Sequence, residues 1–247
     1  LKRLYPYLQG LQNQSTASLA SFFHVSQASL ADPCFSHLPR WEMTSGLRRF
    51  LAPDVAAQLD WERPRRELRE GLPESFGAWD HLCQAQYLEA TLLMPNYILS
   101  SQGDRMAMGN SVEGRFPFLD HRLVEFAATI PPKWKVRGLD EKYLLKCAIG
   151  KLLPDSVVKR PKQPYRAPDA ASFIDPNTGQ ALGDYVEELV TPGALARTGL
   201  FHAPAVEKLW AKARAGKVQG VRDNMAFVGI LSTQLLAYHF IENHTEI

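Results

Sequence analysis

The sequence predicts a mainly helical fold. Two long stretches carry apolar residues at helical spacing: Trp79, Leu82, Cys83, Tyr87, Leu88, Leu92 and Leu93, then Met225, Val228, Leu231, Leu235 and Tyr238, widened by Phe227, Ile230 and Leu236. The best strand-like alternation, Lys133-Trp134-Lys135-Val136, is too short to build a sheet. The length suits one large domain or two small ones.

The elements follow in order. Leu4 to Leu11 reads as a short helix closed by Gly10, and Ser15 or Thr16 is a candidate cap for the next. Leu19, Phe22, Phe23, Val25 and Leu30 fit a helix that Asp32-Pro33 ends. His37 to Trp41 reads as a loop. Met43, Leu47, Phe50 and Leu51 make a short helix, and Pro53 starts another with Val55 and Leu59. Arg63 to Glu70 is dense in charge. It is either a basic patch for a phosphate or a solvated helix face with Arg and Glu at helical spacing. Pro95-Asn96 is expected to interrupt the helix begun near Trp79.

Gly103 to His121 combines Asp104, Arg105, Glu113, Arg115 and Asp120 with Gly109, Asn110, Ser111 and Gly114, residues that suit a turn. Phe116, Phe118 and Leu119 look like core anchors, which would leave those charges partly desolvated. Either a structural Glu–Arg pair closes this loop on the core or the charges serve a functional site. A helix follows over 122–130 with Leu123, Val124, Phe126 and Ala127 inward. Asp140 is a cap candidate for a helix through Ile149, closed by Gly150. Leu153 to Val158 adds a turn or two. Residues 159–168 hold four cations and three prolines, an extended basic loop or an exposed connector. Asp175 to Gly179 is a turn. Tyr185 to Val190 belongs to a helix ending at Pro192-Gly193, Phe201 to Ala215 is a helix, and the last runs over 221–241, with His239 on its core stripe.

Composition excludes several classes. The formal net charge is +2 with cations and acids interleaved, which does not argue for nucleic acid. The three cysteines, Cys34, Cys83 and Cys147, are far apart, so each reads as a small buried apolar residue in a reducing compartment. No run of apolar residues reads as a membrane span, and no signal-peptide pattern opens the chain. The opening Leu1-Lys2-Arg3-Leu4-Tyr5 reads as the middle of a longer protein.

No P-loop, dinucleotide fingerprint, HExxH or GxSxG occurs, and the seven histidines are scattered, so no metal site is indicated. The remaining chemistry is electrostatic: Lys or Arg neutralising charge on a phosphate or an oxyanion. Lys142, in Asp140-Glu141-Lys142 at an expected helix start, is the leading candidate; the bland alternative is a first-turn surface lysine.

Four ordered stretches carry a family resemblance. Asp104-Arg105-Met106-Ala107-Met108 with Ser111-Val112-Glu113-Gly114-Arg115-Phe116-Pro117-Phe118-Leu119-Asp120-His121 resembles glutamine-hydrolysing asparagine synthetase. Leu123-Val124-Glu125-Phe126-Ala127, Glu141-Lys142-Tyr143-Leu144-Leu145-Lys146 and Leu153-Pro154-Asp155 through Pro168 agree with it in order and spacing. Gly109-Asn110 departs from the commoner Ala-His. The resemblance is strong over about 97–168 and weak before Trp79.

The resemblance implies an enzyme that adenylates the aspartate side-chain carboxylate with ATP and Mg²⁺ and lets ammonia, released from glutamine by an amidotransferase domain, displace AMP. The family's Ser-Gly-Gly-x-Asp-Ser loop and Glu-Gly-x-Asp-Glu motif do not occur in this chain. Residues 1–247 therefore resemble the C-terminal helical portion of an α/β adenine-nucleotide α-hydrolase-like synthetase domain, with most of the parallel sheet elsewhere. By the same resemblance Lys142 contacts phosphates. Arg160 and Lys162 close over pyrophosphate, and Asp104, Arg105, Glu113, Arg115 and Asp120 shape the cleft or its support. The implied partners are the amidotransferase and nucleotide-binding portions, with aspartate and glutamine or ammonia as substrates. A homodimer is compatible with it, the expected location is the cytoplasm, and neither membrane nor nucleic acid is involved. Two alternatives stay open: a non-catalytic helical interaction module of this fold, and a relative forming a β-lactam or macrocyclic amide.

Overall fold

The computed structural model describes residues 27–160, 169–218 and 220–242. The expected helices before residue 27, most of the basic loop and Lys162 with it lie outside that range. The described residues are mostly helical, and their only sheet pairs Val136–Arg137 with Asp140–Glu141. The described residues divide into two compact units, one of 27–38 and 72–160, the other of 39–71, 169–218 and 220–242.

The second unit has a closed core. Its long helix Val221–Ala237 buries Ala226, Phe227, Ile230, Leu231, Gln234 and Ala237. This face is shifted from the expected stripe, because small Ala and a paired Gln occupy inward positions while Met225, Leu236 and Tyr238 are exposed. Gln234 is buried without loss because its amide donates to the Leu189 carbonyl at 3.1 Å and its oxygen accepts from the Thr198 hydroxyl at 2.8 Å. Trp210 stacks on Phe227 at 5.9 Å, and Val206, Leu209 and Leu195 fill the same core. His239 is exposed, because the helix has left the core by that point. Contrary to the expectation from unbroken apolar runs, the helix and its continuation, Val221–Glu242, have the length and mean hydropathy, 1.2, of a membrane span. Its buried face is part of this core.

Several boundaries differ from expectation for local reasons. Leu38–Ser45 is a helix, not a loop, because Pro39 sits in the first turn, where its missing N–H costs nothing. The helix expected to end at Pro192-Gly193 already stops at Glu188, and Pro192 starts a new one to Thr198, with the Thr191 hydroxyl capping Ala194 N–H. Phe201 pairs with Leu51 as a bridge, so the next helix begins at Ala203. Arg63–Glu70 is a solvated helix: Arg63 pairs with Glu67 at 2.7 Å and Arg66 with Asp60 at 2.9 Å. These pairings favour the solvated face over the phosphate patch.

In the first unit, Asp80 caps the helix His81–Leu88 through Leu82 N–H at 2.8 Å; Trp79 and Tyr87 meet edge to face and Phe76 packs tilted against both. Pro95 does not interrupt this helix. The backbone widens into a π-helix, Glu89–Asp104, that carries Pro95 inside it. Side chains take over carbonyls along it: Thr91 donates to Tyr87 O, Asn96 to Leu92 O and Ser101 to Asn96 O.

Phe116, Phe118, Leu119, Leu123, Val124 and Phe126 are not core anchors in this unit; all are exposed, Phe118 by 69% and Phe126 by 62%. Apolar periodicity marks a face that wants covering, and among the described residues nothing covers it. The charges between them are accordingly solvated. Cys34 is buried as expected, Cys83 is half-buried and Cys147 is exposed.

Candidate active site

The site is built on the segment 132–149. Pro132–Lys135 forms a single helical turn, since Pro132 takes its first position, and this replaces the strand expected there. Val136–Arg137 then pairs antiparallel with Asp140–Glu141, Val136 facing Glu141 and Arg137 facing Asp140. Gly138, at φ 62°, supplies the positive φ that the first position of such a two-residue turn demands. Asp140 is therefore a strand residue and not a helix cap. Its carboxylate pairs with Lys146 instead.

Lys142 joins this hairpin to the helix Tyr143–Ile149 at φ 59°, ψ 30°, the left-handed region. A non-glycine residue there carries a backbone cost of about 1 kcal/mol or more. Its carbonyl accepts the first helical hydrogen bond, from Lys146 N–H at 3.0 Å, and its side chain is exposed. The expected placement in the first turn of a helix capped by Asp140 is thus corrected: the helix begins at Tyr143 and Lys142 precedes it. Tyr143 stacks on Trp134 at 6.3 Å, and the Arg137 guanidinium lies over the Tyr143 ring at 5.2 Å and donates to its hydroxyl at 2.7 Å. Lys135 reaches Gln86 Oε1 at 3.2 Å, tying the segment to the helix His81–Leu88.

The other expected site residues are dispersed. Asp104 ends the π-helix and Arg105 begins Arg105–Gly109, both exposed. The chain then turns through Ser111, at φ 56°. Glu113 and Arg115 pair at 3.0 Å, exposed by 69% and 80%, so the Glu–Arg pair exists but closes no core. Asp120 caps His121–Thr129 through Arg122 N–H at 2.9 Å. The Arg122 guanidinium, and after it that same N–H, hold the Asp120 carboxyl below its usual value, and Arg122 is raised in turn. Arg160 is exposed.

Of the expected site residues among those described, only Glu113 and Arg115 pair with each other. Among the described residues no ion pair joins Lys142 to Glu113, Arg115 or Arg160. Arg137 and Tyr143 escaped the sequence reading; the signal was Arg137-Gly138-Leu139-Asp140, a hairpin turn immediately before the lysine. Among the described residues no group of three or more His, Cys, Asp or Glu could hold a metal ion. What the arrangement offers is one exposed ammonium on a fastened backbone, suited to meet an anion.

The profile of the asparagine synthase family matches residues 6–239. The chain is similar to amidase chyE of Penicillium rubens, 38% identical over 96 residues, which covers 36% of this chain and 14% of that protein. It is 44% identical over 82 residues to asparagine synthetase [glutamine-hydrolyzing] 3 of Bacillus subtilis, covering 33% and 13%. With a probable asparagine synthetase [glutamine-hydrolyzing] of Acanthamoeba polyphaga mimivirus it shares 28% over 149 residues, covering 56% and 27%. The chain thus spans well under a third of the length of the curated relatives it matches. No solved structure matches it. The match over nearly the whole chain makes this protein a member of the asparagine synthase family.

Proposed function

We propose that these residues are the C-terminal helical part of a synthetase domain that forms an amide at the expense of ATP. The supporting observation is the family match over 6–239. The exposed apolar face of the first unit agrees with it, since a sheet carried elsewhere in the protein would cover Phe116 to Phe126. In the reaction, an oxygen of the aspartate side-chain carboxylate attacks the α-phosphorus of ATP and pyrophosphate leaves. Ammonia, derived from glutamine in an amidotransferase domain, then attacks the acyl carbon of β-aspartyl-AMP, and AMP leaves with asparagine formed. Lys142 neutralises phosphate charge, Arg160 and Lys162 meet the departing pyrophosphate, and Asp104, Arg105, Glu113, Arg115 and Asp120 shape or brace the cleft. The phosphate loop and the Mg²⁺ ligands belong to the complementing portion, and the assembled enzyme works in the cytoplasm.

The test is AMP and pyrophosphate release from aspartate, ATP and ammonia. The complete protein carrying these residues is expected to release both, and the chain alone neither. AMP production by the chain alone would overturn its being a part. A complete protein that releases no AMP with any carboxylate would leave a non-catalytic helical module. In the complete enzyme, Lys142→Ala is expected to lower the synthetase rate on the order of a hundredfold, about 3 kcal/mol of transition-state stabilisation, while glutamine hydrolysis continues.

A second reading keeps the amide chemistry and changes the carboxylate. Two similar proteins are named amidases, chyE and, at 35% identity over 127 residues, chry2 of Gibberella zeae. AMP release that needs another carboxylic acid and ignores aspartate would select it.

A further inference from the structure

The left-handed backbone at Lys142 is fastened on both sides. Before it, the Val136–Glu141 and Arg137–Asp140 pairings fix the strand that delivers it. After it, Lys146 holds the Lys142 carbonyl with its N–H and Asp140 with its ammonium. A second contact spans Lys142 beside the Asp140–Lys146 pair: Arg137, five residues earlier, reaches Tyr143, the next residue, with a hydrogen bond of 2.7 Å to the hydroxyl and its guanidinium over the ring. Arg137 is exposed and Tyr143 only half-buried, so this contact fills no core. Its physical effect is local, holding the hairpin and the helix start at one angle and so fixing the Cα–Cβ direction of the lysine between them.

We infer that Arg137 and Tyr143 are positioning residues for Lys142, clamping its left-handed turn so that the ammonium is presented to phosphate oxygens from a preset direction. This rests on Lys142 being the phosphate contact proposed above. A charge that neutralises a developing anion acts by being in place before the charge appears. A long, rotatable side chain on a loose backbone would have to be ordered during the step, and misplacement of about an ångström costs heavily in rate. The clamp removes the backbone share of that ordering.

The experiment is a double-mutant cycle in the complete protein, read as AMP release against ATP concentration, with thermal melting as the check on folding. Arg137→Gln and Tyr143→Phe each break the 2.7 Å hydrogen bond without touching a core. Each is expected to lower kcat about tenfold with KM for ATP little changed, the pattern of an interaction made mainly in the transition state. Arg137→Lys, which keeps a donor and a cation over the ring, should recover part of the loss. In a Lys142→Ala background, Arg137→Gln should cost nothing further, because there is no ammonium left to place. If Arg137→Gln leaves kcat within about twofold of wild type, or costs the same with and without Lys142, the clamp is structural and the inference falls, with the role of Lys142 untouched. If Lys142→Ala itself leaves turnover within about threefold, the phosphate contact proposed for Lys142 fails, and the inference with it.

Discussion

Gly179 shows what one hydrogen atom in place of a side chain can secure. It lies at φ 70°, and a Cβ there would sit 2.1 Å from the Arg214 carbonyl oxygen. The loop is tied locally, with Asp175 Oδ1 accepting from Asn177 N–H at 2.8 Å and Gly179 N–H reaching the Asp175 carbonyl at 2.8 Å. Both objections to a side chain are backbone ones and cannot be relieved by a rotamer. Gly179→Ala is therefore expected to destabilise the second unit by about 2 kcal/mol or more. Gly193, inside the helix Pro192–Thr198 with no atom near its missing Cβ, provides the control. Gly193→Ala should stabilise by about 0.5–1 kcal/mol. Denaturant midpoints of the two variants decide it, and equal shifts would refute the close approach. The turn itself was legible in Asp175-Pro176-Asn177-Thr178-Gly179. The carbonyl against it was not, since a contact between residues 179 and 214 leaves no mark on either local stretch.

At the scale of the element, His121–Thr129 depends on one carboxylate. Asp120 accepts from Arg122 N–H and from its guanidinium at 3.1 and 2.8 Å, and its folded pKa is depressed below the unfolded value near 3.9. A depressed carboxylate contributes stability that is fully present above the unfolded pKa and is lost as pH falls through the folded one. Amide protection factors over Arg122 to Val124 are therefore expected to hold at neutral pH and to fall in the acid range below about 4. Asp120→Asn, which still caps but does not titrate, should flatten that dependence; an unchanged acid profile would remove Asp120 as its source. The sequence marked this helix by the apolar run Leu123, Val124, Phe126 and Ala127, while its Asp120 cap went unread. At Asp140 a cap was expected and is absent, because a two-residue hairpin consumed the aspartate first. Asp104, Arg105, Glu113 and Arg115 were legible as a charged motif, yet their spacing could not tell that the surrounding phenylalanines would be left uncovered.

For the whole molecule, the contrast between units matters most. The second unit encloses Phe227, Ile230, Leu231 and Val186, whereas the first leaves Met108, Phe118, Phe126 and Leu152 exposed. Periodicity identified the apolar face of 121–129, but it reports only that a face wants cover. The isolated chain should therefore bind an apolar dye such as ANS strongly. Phe118→Ser with Phe126→Ser should lower that binding while leaving the denaturant midpoint within about 0.5 kcal/mol, as for surface positions. A loss of several kcal/mol would mean that these rings are already packed in solution.

The division of the chain into units also has a consequence for how it is made. Each unit is assembled from two separate lengths of chain, so residues 39–71 leave the ribosome long before 164–247 do. Leu51 cannot meet Phe201, nor can the Phe50 carbonyl meet His202 N–H, until the later strand of synthesis arrives. At roughly 5–20 residues per second that is a wait of roughly 8–30 s. Throughout it Leu47, Phe50 and Leu51 have no core to enter. A circular permutant that brings 39–71 directly before 164–247 would let that unit close as soon as it is translated.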